Sequence, residues 1–394
     1  MSKNNPTKDI FIIDGTRTAI GSTFKALKDF TASELGSIAI KEILQRNAIK
    51  KDLINQVILG NTVSAGTGQN LARHAAFLSG LPVSVPAFTV NNVCGSGLQS
   101  VILGAQAITC QDAHAVICGG IESSSQSPYL VKRNDKEKKE ENFIDSLIYD
   151  GLMCELSHKH MGELAEHIAE KFKIPREEQD QYSYESHHKT CQAQLEGKFK
   201  EEIIPVDLGN GGIFMQDQRP RKDIDLQKLG KLPPAFKENG TITAGNSSLP
   251  SDGAVAVLLA SSDMIKKNSI TPKARILGYA SIAVTPEMVF TAAIPAVKEC
   301  LKKCDLSLKD IDLFEISEAF AVQAIITKRE LKIPDDKMNI FGGDVALGHP
   351  LGAAGARILV TLIHALLDQK KKRGLAAVCL GGGGAVALAI ETIN

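Results

Sequence analysis

One order of features occurs twice in this chain, and a chain that repeats itself on that scale must build two copies of one unit. In the first copy, Asp52-Leu53-Ile54-Asn55-Gln56-Val57-Ile58-Leu59-Gly60 runs to the end of a strand. Phe88 to Cys94, a Gly-Ser-Gly turn and an apolar helical stretch follow, and Val116-Ile117-Cys118-Gly119-Gly120 closes the unit. In the second copy, Asp310 to Ile316 leads into Ser317-Glu318. Then come Gly348-His349-Pro350, a Gly/Ala-rich apolar helix and Val378-Cys379-Leu380-Gly381-Gly382. Strands are expected at Ile10–Ile13, Val57–Leu59, Ala87–Asn92, Val116–Cys118 and Val378–Leu380, because these are short apolar runs rich in β-branched residues. Strands alternating with helical segments predict an α/β fold built from βαβ-based halves.

The material between the halves is different. Lys132–Asn142 is a charge run, read as a solvated loop or helix face. Met161, Leu164, Ala165, Ile168, Ala169 and Phe172 then recur at helical spacing, and Ile174-Pro175 stops that helix. A second helix is expected from Pro175 to a C-terminal cap at Gly197. Residues 122–244 therefore read as a partly helical insertion. It lies between an N-terminal half, 1–121 completed by about 245–270, and a C-terminal half, 271–394.

Composition narrows the function class. Forty-five basic residues balance 45 acidic ones, which leaves no polyanion footprint and predicts no nucleic-acid partner. Lys370 to Arg373 read as cations at a helix C-terminus. No uncharged apolar run reaches the length of a membrane span, and Met1–Lys8 lacks an apolar signal core. The expectation is a cytoplasmic protein with no membrane partner, its eight cysteines reduced. None of them forms a CxxC pair, which disfavours a zinc ribbon or a disulfide framework. A zinc site on His158, His160, His187 and His188 lacks cysteine partners and is set aside.

Three glycine-rich turns could carry chemistry. Cys94 follows a strand and opens a helix, where the positive end of the dipole favours a thiolate. Gly95 and Gly97 beside it would let a substrate approach and free N–H groups for an oxyanion. A buried structural cysteine in a tight turn fits the same residues. His349 sits beside Pro350 at a helix start, although a lone histidine is more often a packed polar residue. Cys379 ends a strand and enters Gly381–Gly384, which lacks the lysine of a phosphate loop.

Taken together, these turns make the sequence resemble the thiolase family over nearly its whole length. The matching motifs are Asn92-Val93-Cys94-Gly95-Ser96-Gly97-Leu98-Gln99, Ser317-Glu318-Ala319-Phe320-Ala321, Ala346-Leu347-Gly348-His349-Pro350-Leu351-Gly352 and Cys379-Leu380-Gly381-Gly382-Gly383. Asp14 to Thr18, His160-Met161-Gly162 and Thr243 to Ser248 match as well. The resemblance implies a layered αβαβα core, with Cys94 as the nucleophile that accepts an acyl group from a CoA thioester. It implies His349 as the base that activates Cys94, and Cys379 as the group that protonates or deprotonates the reacting carbon. The N–H groups of Cys94 and Gly381 would form an oxyanion hole. His160, Met161, Arg221, Ser248, Ala319 and Phe320 would line the CoA tunnel. CoA enters as substrate or product, and no metal or separate cofactor is implied. The assembly implied is a homodimer or homotetramer, with the insertion covering the substrate.

Two positions depart from the family pattern. Gly384-Ala385 differs after the cysteine loop, and Ser317 stands where most members carry asparagine. Its hydroxyl is expected to hold a water that donates to the oxyanion. The activity implied is condensation of two acetyl-CoA, or thiolysis of a short 3-ketoacyl-CoA, through an acyl-cysteine. The alternative within the class is a broad-chain 3-ketoacyl-CoA thiolase of β-oxidation. Outside it stands an acyl-CoA binder that has lost turnover.

Overall fold

A computed structural model describes residues 9–134, 139, 142–209 and 211–393, so most of the central charge run lies outside the described residues. The N-terminal half runs β1 (Ile10–Thr18), α1 (Ala32–Arg46), β2 (Gln56–Gly60), α2 (Leu71–Leu78), β3 (Ala87–Val90), α3 (Ser96–Thr109) and β4 (Ala115–Ser123). The insertion contributes α4 (Met161–Lys171) and α5 (Arg176–Leu195). A long strand, β5 (Ser251–Ser261), then returns to pair antiparallel with both β1 and β4. The C-terminal half runs β6 (Ala274–Ala283), α6 (Ala293–Lys303), β7 (Leu313–Ile316), α7 (Ala321–Leu331), α8 (Asp344–Leu347), α9 (Leu351–Asp368), β8 (Arg373–Leu380) and β9 (Gly384–Thr392).

The strand order is β7-β8-β9-β6-β1-β5-β4-β2-β3, and it shows the repeat directly. In each half, two antiparallel pairings are followed by a parallel one: β1-β5-β4-β2 in the first, β6-β9-β8-β7 in the second. The fifth strand of the first half, β3, has only an isolated bridge, Phe314 to Met338, as its counterpart. The halves join where β1 pairs with β6, through Phe11–Arg275 and Ile12–Ala274.

Strand period explains the layering, since successive side chains point to opposite faces. On β5, Val257 and Leu259 face a central layer with Leu98, Val101 and Ile102 of α3 and Ile358, Leu359 and Leu362 of α9. Leu258 faces outward to Leu35, Ile40 and Ile43 of α1. On β8, Ala376 and Val378 face the same central layer. Leu375, Ala377 and Cys379 face the opposite side, with Val297 of α6 and Ile325 of α7. Helix, sheet, helix, sheet, helix is the result. Helix α9 is long and apolar enough to cross a membrane by length and composition, yet residues 351–366 are all buried between the sheets. Arg357 in its middle is also fully buried.

In the insertion, α4 buries Leu164, Ala165, Ile168 and Ala169. Its helix stops at Phe172, and Pro175 caps α5, which ends before Gly197 in a left-handed conformation (φ 68°). Pro350 is the cap of α9 rather than its first helical residue. Lys370–Lys372 lie in the turn after α9, and Arg373 begins β8.

Candidate active site

The turn between β3 and α3 aims Cys94. Val93 sits at φ 49°, a left-handed conformation that a β-branched residue adopts only where its surroundings force it. The forcing groups are all present. The Asn91 side chain accepts from the Val93 N–H at 3.0 Å, while Thr62 and Ser96 donate to the Val93 carbonyl at 3.0 and 2.6 Å. Gly95 is required by close approach, because a Cβ there would lie 2.6 Å from Leu380 Cδ2, one residue after Cys379. That contact brings the start of α3 against the end of β8. Among the described residues, the N–H groups of Cys94 and Gly381 make no backbone hydrogen bond, which leaves both as free donors.

His349 comes from the corresponding turn before α9. Its N–H donates to the Leu249 carbonyl at 2.9 Å, and buried Glu122 accepts from the Gly352 N–H at 2.7 Å, pinning the first turn of the helix. The imidazole is buried, with Nδ1 3.4 Å from Asp344 Oδ2. Neither ring nitrogen makes a well-aligned hydrogen bond. Burial opposes the charged imidazole, but the Cys94 thiolate and the Asp344 carboxylate outweigh it and push the group up to about 10. Cys379 is different. Burial, then the negative charges of Cys94 and Asp344, hold its thiol well above the ordinary range, so it stays protonated.

These three side chains line one cavity of about 280 Å³. Gly381, His160, Met161, Ser248, Ala319 and Phe320 line it too. Most of its remaining wall is apolar, from Ile148 and Leu152 of the insertion to Val289 and Phe290 beside α6. His160 caps α4: its Nδ1 accepts from the Gly162 N–H at 3.0 Å and its ring stacks on Phe236 at 4.8 Å. Burial lowers its pKa against the pull of Glu163. With Nδ1 accepting, the neutral ring carries its proton on Nε2.

Two of the expected site residues stand off this cavity. Arg221 does not line this cavity. It is exposed, in an adjoining recess of about 210 Å³ that shares Ala244 and Leu249 with the first. That recess also holds Arg219 and His187, whose imidazole is pushed down to about 3 by burial and by the two guanidiniums. Burial and the adjacent Arg221 lower Arg219 to about 10. Ser317 is not among the residues that line the cavity either. It is sealed behind the wall, and its single hydroxyl proton goes to Asp344 Oδ2 at 2.6 Å.

The groups that sequence reading missed stand with it. Asp344 accepts from the Glu318 N–H at 2.9 Å through Oδ2 and from Arg357 Nη2 at 2.5 Å through Oδ1. Burial alone would raise this carboxyl; Arg357, with His349 and Ser317, overrides it and holds the group well below the usual carboxylate range. Glu315, 3.6 Å from Arg357, goes the other way: burial, more than its acidic neighbours, pushes it well up despite the guanidinium. A signal existed. Arg357 is the one charged residue before Asp368 in an otherwise apolar helix, and a buried guanidinium must find a carboxylate.

Two thiols and an imidazole from two repeated halves meet at one cavity, beside free backbone donors. Residues 10–263 match the family model described as Thiolase, N-terminal domain, and residues 270–392 match Thiolase, C-terminal domain. The chain belongs to the thiolase family. A probable acetyl-CoA acyltransferase of Staphylococcus aureus is 44% identical over 381 residues, covering 95% of this chain and 97% of that protein. The crystal structure of the Bacillus anthracis acetyl-CoA acetyltransferase superposes with a TM-score of 0.96 at 36% identity, over 99% of this chain and 100% of the other. Human mitochondrial 3-ketoacyl-CoA thiolase gives 0.95 at 39% identity, again over 99% and 100%. The thiolase fold accounts for the double layer of sheets around α3 and α9.

Proposed function

We propose that this thiolase transfers acyl groups between CoA thioesters through an acyl-Cys94 intermediate. It condenses two acetyl-CoA to acetoacetyl-CoA and CoA, or cleaves a short 3-ketoacyl-CoA in reverse. The observation that carries this reading is the pair of unlike thiols on one cavity: Cys94 facing an imidazole that can hold its proton, and Cys379 buried and neutral.

The chemistry follows in two halves. Cys94 passes its proton to His349 and attacks the thioester carbonyl, whose developing oxyanion meets the Cys94 and Gly381 N–H groups. CoA leaves as a thiolate and takes a proton from His349. In the second half, Cys379 first passes its thiol proton to the now neutral His349, and the sulfur so freed removes a proton from the methyl carbon of acetyl-CoA. The resulting carbanion attacks acyl-Cys94, and the Cys94 thiolate leaves and recovers a proton from His349. In thiolysis, the Cys379 thiol instead protonates the departing carbon. His160 lines the cavity with Nε2–H as its donor, which suits an amide or carbonyl of the bound thioester. Arg219 and Arg221 make a cationic recess suited to the phosphates of CoA.

The same reading makes the protein a cytoplasmic homodimer or homotetramer with no metal or separate cofactor, CoA being substrate and product. The long apolar wall formed by Ile148, Leu152, Val289 and Phe290 favours a second reading, thiolysis of longer 3-ketoacyl chains. One experiment addresses both. Incubation with acetyl-CoA should place one acetyl group on the peptide holding Cys94, and thiolysis rates should then be read across a chain-length series. Labelling of Cys379 alone would sink the assignment.

A further inference from the structure

The acid–base pair has a third member that none of the sequence motifs assigned. Asp344 is fully buried, and its Oδ2 is the only carboxylate oxygen within ion-pair distance of the His349 ring among the described residues, at 3.4 Å from Nδ1. The ring faces Cys94 from the turn before α3 and Asp344 from α8, and shares its cavity with Cys379 at the end of β8 and with His160. Behind Asp344 stand Arg357 of α9, Glu315 of β7 and, just after that strand, Glu318, bonded to Tyr182 of α5. Arg357 is the one cation in that group. Its short contact to Asp344, against 3.6 Å to Glu315, places the negative charge on Asp344.

We propose that Asp344 is the positioning residue of His349: its carboxylate faces Nδ1–H, so the ring turns Nε2 to Cys94 and retains the proton that Cys94 gives up. The inference rests on reading Cys94 and His349 as nucleophile and base. The proton moves from Cys94 Sγ to His349 Nε2, Nδ1–H stays directed at Oδ2, and Asp344 remains ionised throughout. Ser317 tunes the contact. An ionised carboxylate oxygen offers about two lone-pair sites, and on Oδ2 both are taken, by the Ser317 hydroxyl at 2.6 Å and the Glu318 N–H at 2.9 Å. Nδ1–H is therefore a third donor to a filled acceptor. That explains why the distance is 3.4 Å and the alignment poor. Such contacts commonly tighten when substrate binds.

The test is the pH dependence of Cys94 alkylation by iodoacetamide, followed by mass mapping, in the parent, D344N, S317A and H349N. D344N keeps the shape and removes the charge. Without it the imidazolium is less stable, so the thiolate appears later, and the alkylation midpoint should rise by about one pH unit or more. Its kcat should fall while KM for the acyl-CoA stays near the parent value. A D344N midpoint equal to that of the parent, with H349N shifted, overturns the role of Asp344 and leaves His349 as the base. An H349N midpoint equal to that of the parent overturns the pair itself. If D344N does not fold, S317A decides: freeing a lone pair on Oδ2 should lower the midpoint, and an unmoved or raised midpoint overturns the proposal.

Discussion

The two halves each bring a cysteine to the cavity, and they treat it in opposite ways. In the N-terminal half, Cys94 stands on a strained turn at a helix start, half-buried, beside an imidazole. In the C-terminal half, Cys379 ends β8, a strand paired on both sides, and only 3% of it is exposed. Burial, and after it the negative charges of Cys94 and Asp344, favour the neutral thiol. The same side chain thus becomes a nucleophile in one setting and a proton carrier in the other. Environment assigns the role.

The largest test of that contrast removes the nucleophile. Cys94→Ala should lower turnover by a factor on the order of 10⁵ and abolish acetyl labelling altogether. A variant still acetylated at Cys379 would reverse the two roles. Cys379→Ala should be milder and selective. Acylation of Cys94 needs Cys94 and His349, so it should persist, while carbon–carbon bond formation falls by roughly 10²–10⁴ for loss of a positioned acid–base. Single-turnover release of CoA, measured separately from acetoacetyl-CoA formation, distinguishes the steps. Equal loss of both would make Cys379 structural.

The contrast itself was only half legible in the sequence. Periodicity located the strands around Ile12, Ile58, Ile117 and Val378 and the stop of α4, because apolar spacing and proline act locally. Cys94, His349, Cys379 and Gly381 stood out because glycine-rich turns concentrate beside them, and the structure brings all four to one cavity. What charges surround each thiol was not legible. Asp344 and Arg357 are 13 positions apart, and they meet only because α8 and α9 fold back beside β7. The partner of Ser317 was not legible for the same reason. The serine's motif position suggested a water, but Asp344, a residue distant in sequence, claims its proton.

A smaller perturbation asks whether the halves must stay in register. Gly97 in α3 packs against α9, and a Cβ there would lie 2.9 Å from the Ala356 nitrogen and 2.9 Å from the Gly352 carbonyl. Both are backbone atoms of the helix that carries His349 at its start, so neither can swing aside. Gly97→Ala should cost about 1–3 kcal/mol of stability through overpacking. It should also separate Cys94 from His349 and lower the acylation rate by up to about 10²-fold, the penalty for a misplacement near 1 Å. Gly197→Ala, with open space around it, should leave acylation alone. Unchanged acylation in Gly97→Ala would mean that the site tolerates movement between its halves.

The smallest expected effect is thermodynamic, and it separates the two sides of the cavity without any turnover. His349 titrates near 6.5 in the unfolded chain and at about 10 when folded. A raised folded value means that the protonated ring stabilises the native state fully below pH 6.5, and that this contribution is lost as pH climbs towards 10. Asp344, held low, loses its share only in strong acid, below the range considered. The gap in melting temperature between the parent and His349→Asn should therefore be widest near pH 6, at about a few degrees, and should narrow steadily to pH 10. Cys379 has a raised folded value too, but its deprotonated form is the charged one. Native and unfolded chains both keep that thiol neutral below about pH 8, so the gap between the parent and Cys379→Ala should stay flat from pH 5 to 8. A flat gap for His349→Asn over the same range would show that folding takes up no extra proton at the ring, which then holds at most the one that Cys94 gives up.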